Sequence, residues 1–472
     1  MNFGRNIFIA ISIVSFTFSL IALYKIFYSS NIVSNKFYIY CFVLSLITSI
    51  FFIYGLKLKK SFQDNLSLVI VSTIFTVYSI ETFFHIKNIN SIILNSNKSI
   101  NDIRKSKAEE MNIFYDDSSK ASIIENLKKN GVVAAPKFYP IQLLHDQKYL
   151  NGIEHNGSKI FPLSDISNTV VVEDNENGYW MKFKTDKYGF NNDPKRYEKN
   201  SIDIIIIGDS YAEGSSVHSD ENIASIIESN GFNVLNFGKA GHGPLLEYAI
   251  FVEYVKKFKP KKILWLYHVN DIYNLLDEKK SSQLLNYLNE ENFSQNLQLN
   301  QNKIDKIIFK YIEEKKKISI QKNNPIQKKI KFSYHINSII LLRNTRSKFG
   351  LEGINKSDIE PKDIKSFETI LNNVNKTVKS WGGDLYFIYL PRHSDHYKLG
   401  KFRFLSLKKT HEHREQVLKV VKKLEIPIID LVELLFSKHS DPLSLFPFRM
   451  FGHYNAKGYR LVSEIILKNL KN

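Results

Sequence analysis

With a single cysteine in 472 residues, Cys41, this chain can form no internal disulfide and offers no thiolate metal site in its polar part. Cysteine usage therefore does not identify the redox compartment. Acidic residues are also in deficit, 47 against 65 Lys and Arg, for a formal charge of +18. That excess does not point to nucleic acid. The lysines are scattered among Asn, Ile and Ser, the clusters at 256–262 and 315–317 read as solvated faces, and no nucleic-acid module signature occurs. There is no internal repeat. No Lys follows the stretch from Gly208 to Gly214, so a phosphate-binding loop of the Lys-Ser/Thr type is excluded. His242, His268 and His453 lack the carboxylate–histidine spacing of a known metal motif, so neither a metal nor a cofactor is expected.

Charge is missing from the first 90 residues in a particular way. Residues 7–24 and 37–56 carry none, and residues 66–86 are interrupted only by Glu81. Each run is long enough, or nearly so, to cross a hydrocarbon core of about 30 Å. No small-residue cleavage site follows the first run and two more runs come after it, so the reading is three transmembrane spans within residues 1–87 rather than a signal peptide. With the N-terminus inside, Arg5, Lys57, Lys59 and Lys60 lie inside and Lys25 and Lys36 outside. Lys87, Lys98, Arg104 and Lys105 then follow the third span on the outer side, so the positive-inside rule is nearly balanced.

Residues 88–135 are polar and read as a stalk, and residues 136–200 as an extended lead-in punctuated by Pro136, Pro140 and Pro162. Regular alternation begins after that. Strands are expected at 202–207, 233–237, 262–267, 384–390 and 426–431, with helical stretches between them, which implies βαβ units and a parallel sheet. The domain of residues 201–472 contains an insertion at about 275–365, rich in Lys, Asn and Gln, which is expected to be helical and to cap the site.

Reactive residue types cluster where such strands end. Residues 202–207 include four consecutive isoleucines, the pattern of a central strand covered on both faces, and run into Gly208-Asp209-Ser210. A hydroxyl at the carboxyl end of a parallel strand is exposed to the crevice where open α/β sheets bind ligands. The next strand ends in Asn236-Phe237-Gly238-Lys239-Ala240-Gly241, whose glycines allow close backbone approach, and Gly241 can aim its amide at an oxyanion. The third ends in His268-Val269-Asn270-Asp271, where a side-chain amide makes a fixed donor. Near the C-terminus, Gly452-His453-Tyr454-Asn455 presents an imidazole suited to take a proton from a hydroxyl.

In that order these four segments resemble the SGNH hydrolases, the GDSL-type esterases and lipases, over roughly residues 200–472. The segment from Asn175-Glu176-Asn177-Gly178 to Tyr188-Gly189-Phe190-Asn191-Asn192 is similar to the lead-in of bacterial membrane-anchored members. The resemblance implies an α/β fold, a three-layer α/β/α arrangement on a central parallel sheet preceded by three transmembrane helices. It implies Ser210 as nucleophile, His453 as its base, and an oxyanion hole from the Ser210 amide, the Gly241 amide and the Asn270 side chain. Two departures stand out. Position 450, where the family usually has Asp, is Met450, and position 268 is His where many relatives have Gly. Asp441 and Asp430 are possible substitutes, though neither has the expected spacing; with nothing in its place, a backbone carbonyl or water orients His453 in a Ser-His dyad. The expected activity is ester hydrolysis of O-acyl groups on a cell-envelope glycan or lipid-linked substrate, from the cytoplasmic membrane with the catalytic domain outside. O-acyl transfer by the same acyl-enzyme, and non-catalytic glycan binding or assembly, are the alternatives.

Overall fold

The computed structural model describes residues 2–28, 32–96, 100–155, 157–199, 201–322, 332–348, 361–393 and 404–470. Helices α1 (Phe3–Tyr28), α2 (Ile32–Gly55) and α3 (Lys60–Ser96) open the chain. Helices α4 (Ile100–Glu110), α5 (Lys120–Lys129) and α6 (Ile141–Leu144) precede the main sheet. Within and after it come α7 (Ser210–Glu213), α8 (Ile223–Ser229), α9 (Pro244–Ile250), α10 (Asp271–Glu278), α11 (Ser282–Asn289) and α12 (Gln301–Lys322). The last are α13 (Phe332–Ile340), α14 (Arg343–Lys348), α15 (Pro361–Ser380), α16 (Phe404–Lys423) and α17 (Ala456–Leu470).

The chain divides into two compact units, residues 1–94 with 329–352, and residues 95–328 with 353–472. In the first unit three stretches, Phe3–Phe27, Tyr38–Gly55 and Lys60–Lys87, are long and apolar enough to cross a membrane. Their apolar side chains lie mostly on the outside, as with Phe75 and Phe83. That inversion of the usual burial pattern suits helices whose solvent is lipid.

The second unit is built on a five-stranded, all-parallel sheet. Its strands are β6 (Ile204–Gly208), β7 (Val234–Asn236), β8 (Lys262–His268), β9 (Asp384–Leu390) and β10 (Ile428–Asp430), in the spatial order β10-β9-β8-β6-β7. Each of these five strands lies within two residues of the limits expected from the sequence. The isoleucines of β6 explain its central place. Ile204 and Ile206 pack with α8 and α17 on one face, while Ile205 and Ile207 pack with α9, α10, α15 and α16 on the other. All four are fully buried, each contributing about 1.5–3 kcal/mol by removal of apolar surface from water. The result is a three-layer α/β/α domain.

The lead-in forms two small sheets. The strands β1 (Ala134–Pro136), β4 (Val170–Val172) and β5 (Lys182–Lys184) make one, and β2 (Ile153–His155) and β3 (Ser158–Ile160) pair as a hairpin. The insertion departs from the expected cap. Leu284, Tyr287, Ile304 and Ile308 of α11 and α12 join the core on one face of the main sheet, whereas residues 332–348 belong to the unit of the three apolar helices.

Candidate active site

Because β7, β6 and β8 are neighbours and parallel, their carboxyl ends bring three loops together: Gly241 after β7, Ser210 after β6 and Asn270 after β8. The turn out of β6 requires glycine. Gly208 has φ +153°, and a Cβ there would lie 2.6 Å from the Leu266 carbonyl oxygen. Asp209 caps the short α7 by accepting from the Tyr211 amide at 2.9 Å, which leaves Ser210 at the helix start. Its hydroxyl lies 2.8 Å from His453 Nε2. Two residues separated by 243 positions are thus within hydrogen-bond reach, the contact that a nucleophile and its base require.

The other ring nitrogen of His453 meets no backbone carbonyl. Nδ1 is 3.0 Å from Glu176 Oε2, and the same oxygen accepts from the His453 amide at 2.8 Å and from the Ser216 hydroxyl at 2.9 Å. The expected dyad is therefore corrected to a Ser210–His453–Glu176 chain. Of the residues considered earlier, Asp441 forms a two-pronged ion pair with Arg449, and Asp430 pairs with Arg414. Met450 needs no substitute nearby, because the carboxylate arrives from the connection between β4 and β5. Asn175 and Asn177 donate to the Asp116 and Ser216 carbonyls, fixing the loop on both sides of Glu176.

Arg104 of α4 completes the arrangement. Its guanidinium lies 3.1 Å from Glu176 Oε1 and donates to the Phe451 carbonyl at 3.3 Å. Residues expected in a stalk thus reach the site. Burial alone would raise the Glu176 carboxyl, but His453 and Arg104 outweigh it and hold it well below the usual carboxylate range. Burial disfavours the His453 imidazolium, yet the Glu176 charge and hydrogen bond carry it up to about 9. Asp174, raised to about 7 by burial and by Glu173 and Glu176, lies beside them, 3.4 Å from the Ser216 hydroxyl. Ser216 itself has φ +71°, an unfavourable backbone for a non-glycine residue, kept where its hydroxyl reaches Glu176.

The proposed oxyanion donors are held by a second set of contacts. Gly241 has φ +80°, and a Cβ there would come within 2.7 Å of Ile141 Cγ2. The preceding Ala240 amide donates to Glu213 Oε2 at 2.8 Å, and Lys239 pairs with Glu213 at 3.3 Å and with Asp165. Lys137, also fully buried, pairs with Glu213 at 2.6 Å and with Glu173. Glu213 lies three residues beyond Ser210, so one carboxylate ties the Ser210 turn to the Gly241 loop. Asn270 Nδ2 lies 3.4 Å from Asp209 Oδ2, while its Oδ1 contacts His268 Nδ1. The histidine in place of glycine thus orients the Asn270 amide, and it stacks on Tyr211 with centroids 4.5 Å apart. Tyr211 also packs on His453 at 4.9 Å.

Asp174, Glu176 and His453 bring one possible ligand atom each within 4.8 Å. Positive charge is already supplied there by Arg104, and Glu176 is engaged by four donors, so this set suits an ion pair with His453 better than a cation. His242 is fully buried and is not among these three residues. Sequence reasoning missed Glu176, Arg104 and Ser216. For Glu176 a signal existed, an acidic residue among Asn175, Asn177 and Gly178 in the segment already singled out. For Arg104 there was none.

No family model and no curated protein matches the chain. Among solved structures, it is similar to the acetyl xylan esterase AlAXEase (11% identity, TM-score 0.32, 57% of this chain and 100% of that one). It is also similar to a lipase/acylhydrolase from Enterococcus faecalis (12%, TM-score 0.30, 57% and 95%). A GDSL-like lipase from Bacteroides thetaiotaomicron VPI-5482 is a further match (9%, TM-score 0.30, 59% and 94%). At such identities and scores, the case for a reaction rests on the residues of the site.

Proposed function

We propose that this chain is a membrane-anchored serine ester hydrolase of the SGNH type, acting on O-acyl groups of a cell-envelope glycan or lipid-linked substrate. The observation that carries the reading is the continuous contact from Ser210 Oγ through His453 to Glu176. In the reaction, Ser210 Oγ attacks the acyl carbonyl and its proton passes to His453 Nε2. The imidazolium is held against Glu176 by Nδ1–H. Negative charge developing on the carbonyl oxygen is taken by the Ser210 amide, the Gly241 amide and the Asn270 side-chain amide. Collapse breaks the ester C–O bond, and Nε2 returns the proton to the leaving alcohol. Water, deprotonated at Nε2, then releases the acid from Ser210 and regenerates the hydroxyl.

The test is direct. A fluorophosphonate probe should label the purified chain and fail to label Ser210→Ala. The same preparation should release acetate from acetylated sugars or short acyl esters. A folded protein that neither takes the probe nor cleaves any ester would end the proposal. The N-terminus is proposed to face the cytoplasm, with residues 88–472 outside. Protease added to intact spheroplasts should then digest the domain, whereas protection until lysis would place it inside.

A further inference from the structure

The compact unit that contains the three apolar helices also contains a segment from far downstream, described over residues 332–348. It interrupts the insertion between α12 and α15. Its docking is made of side chains from the third apolar helix. Glu81, fully buried, accepts from the Asn344 amide at 3.0 Å, the Asn344 side chain at 2.8 Å and the Thr345 amide at 2.7 Å. Tyr78 donates its hydroxyl to the Ile340 carbonyl at 3.3 Å. The Ile340 carbonyl and the Asn344 and Thr345 amides are backbone groups on either side of the turn at Leu341 and Leu342, between α13 and α14. A break facing water could leave such groups to solvent. In hydrocarbon they need partners within the protein, and Glu81 and Tyr78 supply them.

Depth agrees. Glu81 and Tyr78 lie six and nine residues before Lys87, the end of the third apolar stretch. At the helical rise they sit about 9 Å and about 14 Å below that end, within the outer half of a hydrocarbon core. The large side chains that α13 turns outward are apolar, Ile336 at 40% exposed and Ile340 at 57%, followed by Leu341 at 48%, with Asn337 the polar residue exposed beside them. Charge agrees as well. No Asp, Glu, Lys or Arg occurs between Lys331 and Arg343, and the apolar stretch is flanked by Lys328, Lys329 and Lys331 before it and Arg343, Arg346 and Lys348 after it. No acidic residue falls anywhere between Glu314 and Glu352. An apolar helix bracketed by cations is the composition of an element lying at a bilayer surface with anionic headgroups.

We infer that residues 332–348 form a second membrane contact, a short helical hairpin clamped to the third apolar helix by Glu81 and seated in the acyl region below the headgroups of an anionic bilayer. The partner is the lipid itself. This inference does not depend on the ester hydrolase reading, only on the apolar helices crossing a bilayer.

Nitroxide accessibility on the full chain tests it. With Cys41→Ser as background, single cysteines at Ile336 or Ile340 carry the label, in vesicles of phosphatidylcholine with phosphatidylglycerol. Val69, exposed on the third helix, serves as the bilayer reference and Glu291 as the aqueous one. The ratio of oxygen to nickel-chelate accessibility at 336 and 340 should approach that at 69 and exceed that at 291 several-fold. Adding Glu81→Ala should drop the ratio at 340 towards the aqueous value while leaving 69 unchanged. Ratios at 336 and 340 equal to that at 291 would overturn the inference. So would loss of access to both relaxants with spin–spin broadening, the mark of a second copy of the chain on this face. An unchanged ratio in Glu81→Ala would remove the clamp.

Discussion

Glu176 Oε2 lies 3.0 Å from His453 Nδ1 although 277 positions separate the two residues. The carboxylate that orients the candidate base therefore comes from a hairpin upstream of the nucleophile, not from the loop that carries the histidine. Glu176→Gln should lower turnover by about four orders of magnitude, as neutralising the orienting acid does in a serine triad. Asp430→Asn and Asp441→Asn should remain near the wild-type rate, since each is paired with an arginine elsewhere. Turnover of the three purified variants on one ester decides between these residues.

The pH dependence follows from the same contact. His453 must be neutral to accept the Ser210 proton, and the Glu176 charge favours its protonated form. The acid limb of kcat/KM is therefore expected above the ordinary histidine value of 6.5, towards about 9. Glu176→Gln removes that stabilisation and should move the limb to lower pH. A limb already at or below 6.5 in the wild type would contradict an ion-paired histidine.

Arg104 predicts a shift of opposite sign. Its guanidinium, 3.1 Å from Glu176, partly offsets the carboxylate charge felt by His453. Arg104→Ala should lower kcat by misplacing Glu176, with KM little changed, and should raise the acid limb. Arg104→Lys keeps the charge without the two-contact geometry and should recover the limb better than the rate. If both variants reduce rate and leave the pH profile unmoved, Arg104 only supports the fold.

Asn270→Ala should lower kcat about 100- to 1,000-fold if its amide meets the developing oxyanion. His268→Ala, which removes the partner of Asn270 Oδ1, should give a smaller loss in the same direction. Acyl-enzyme formation rates from a burst assay separate these losses from effects on substrate binding.

Glu213→Ala is expected to destabilise the domain by about 3–5 kcal/mol, because it leaves Lys137 and Lys239 buried with fewer counter-charges. The Glu213 carboxyl is held below its ordinary value by the two lysines despite its burial. Its contribution is thus present at neutral pH and is lost as pH falls through the depressed value. Denaturant midpoints at pH 7 and at acid pH, for wild type and variant, measure both effects.

Local pattern determined much of this protein. Two charge-free runs and one interrupted only by Glu81 marked the three apolar helices, because lipid-facing length is a property of contiguous sequence. The isoleucines of β6 and the turn residues after β6, β7 and β8 marked the sheet and the places of Ser210, Gly241 and Asn270. A parallel strand covered on both faces reads as an apolar run, and its carboxyl end follows directly. What only the tertiary structure decided were the partners. Arg104 sits in a stretch whose local pattern is ordinary, and Glu176 and Glu81 stand out locally without showing what they meet. Their roles come from which surfaces meet after the chain has folded, and periodicity carries no information about contacts 277 residues apart. The segment 332–348 is the same case. Its sequence shows an apolar stretch between cations, but only the Asn344 and Thr345 amides on Glu81 place it with the N-terminal helices.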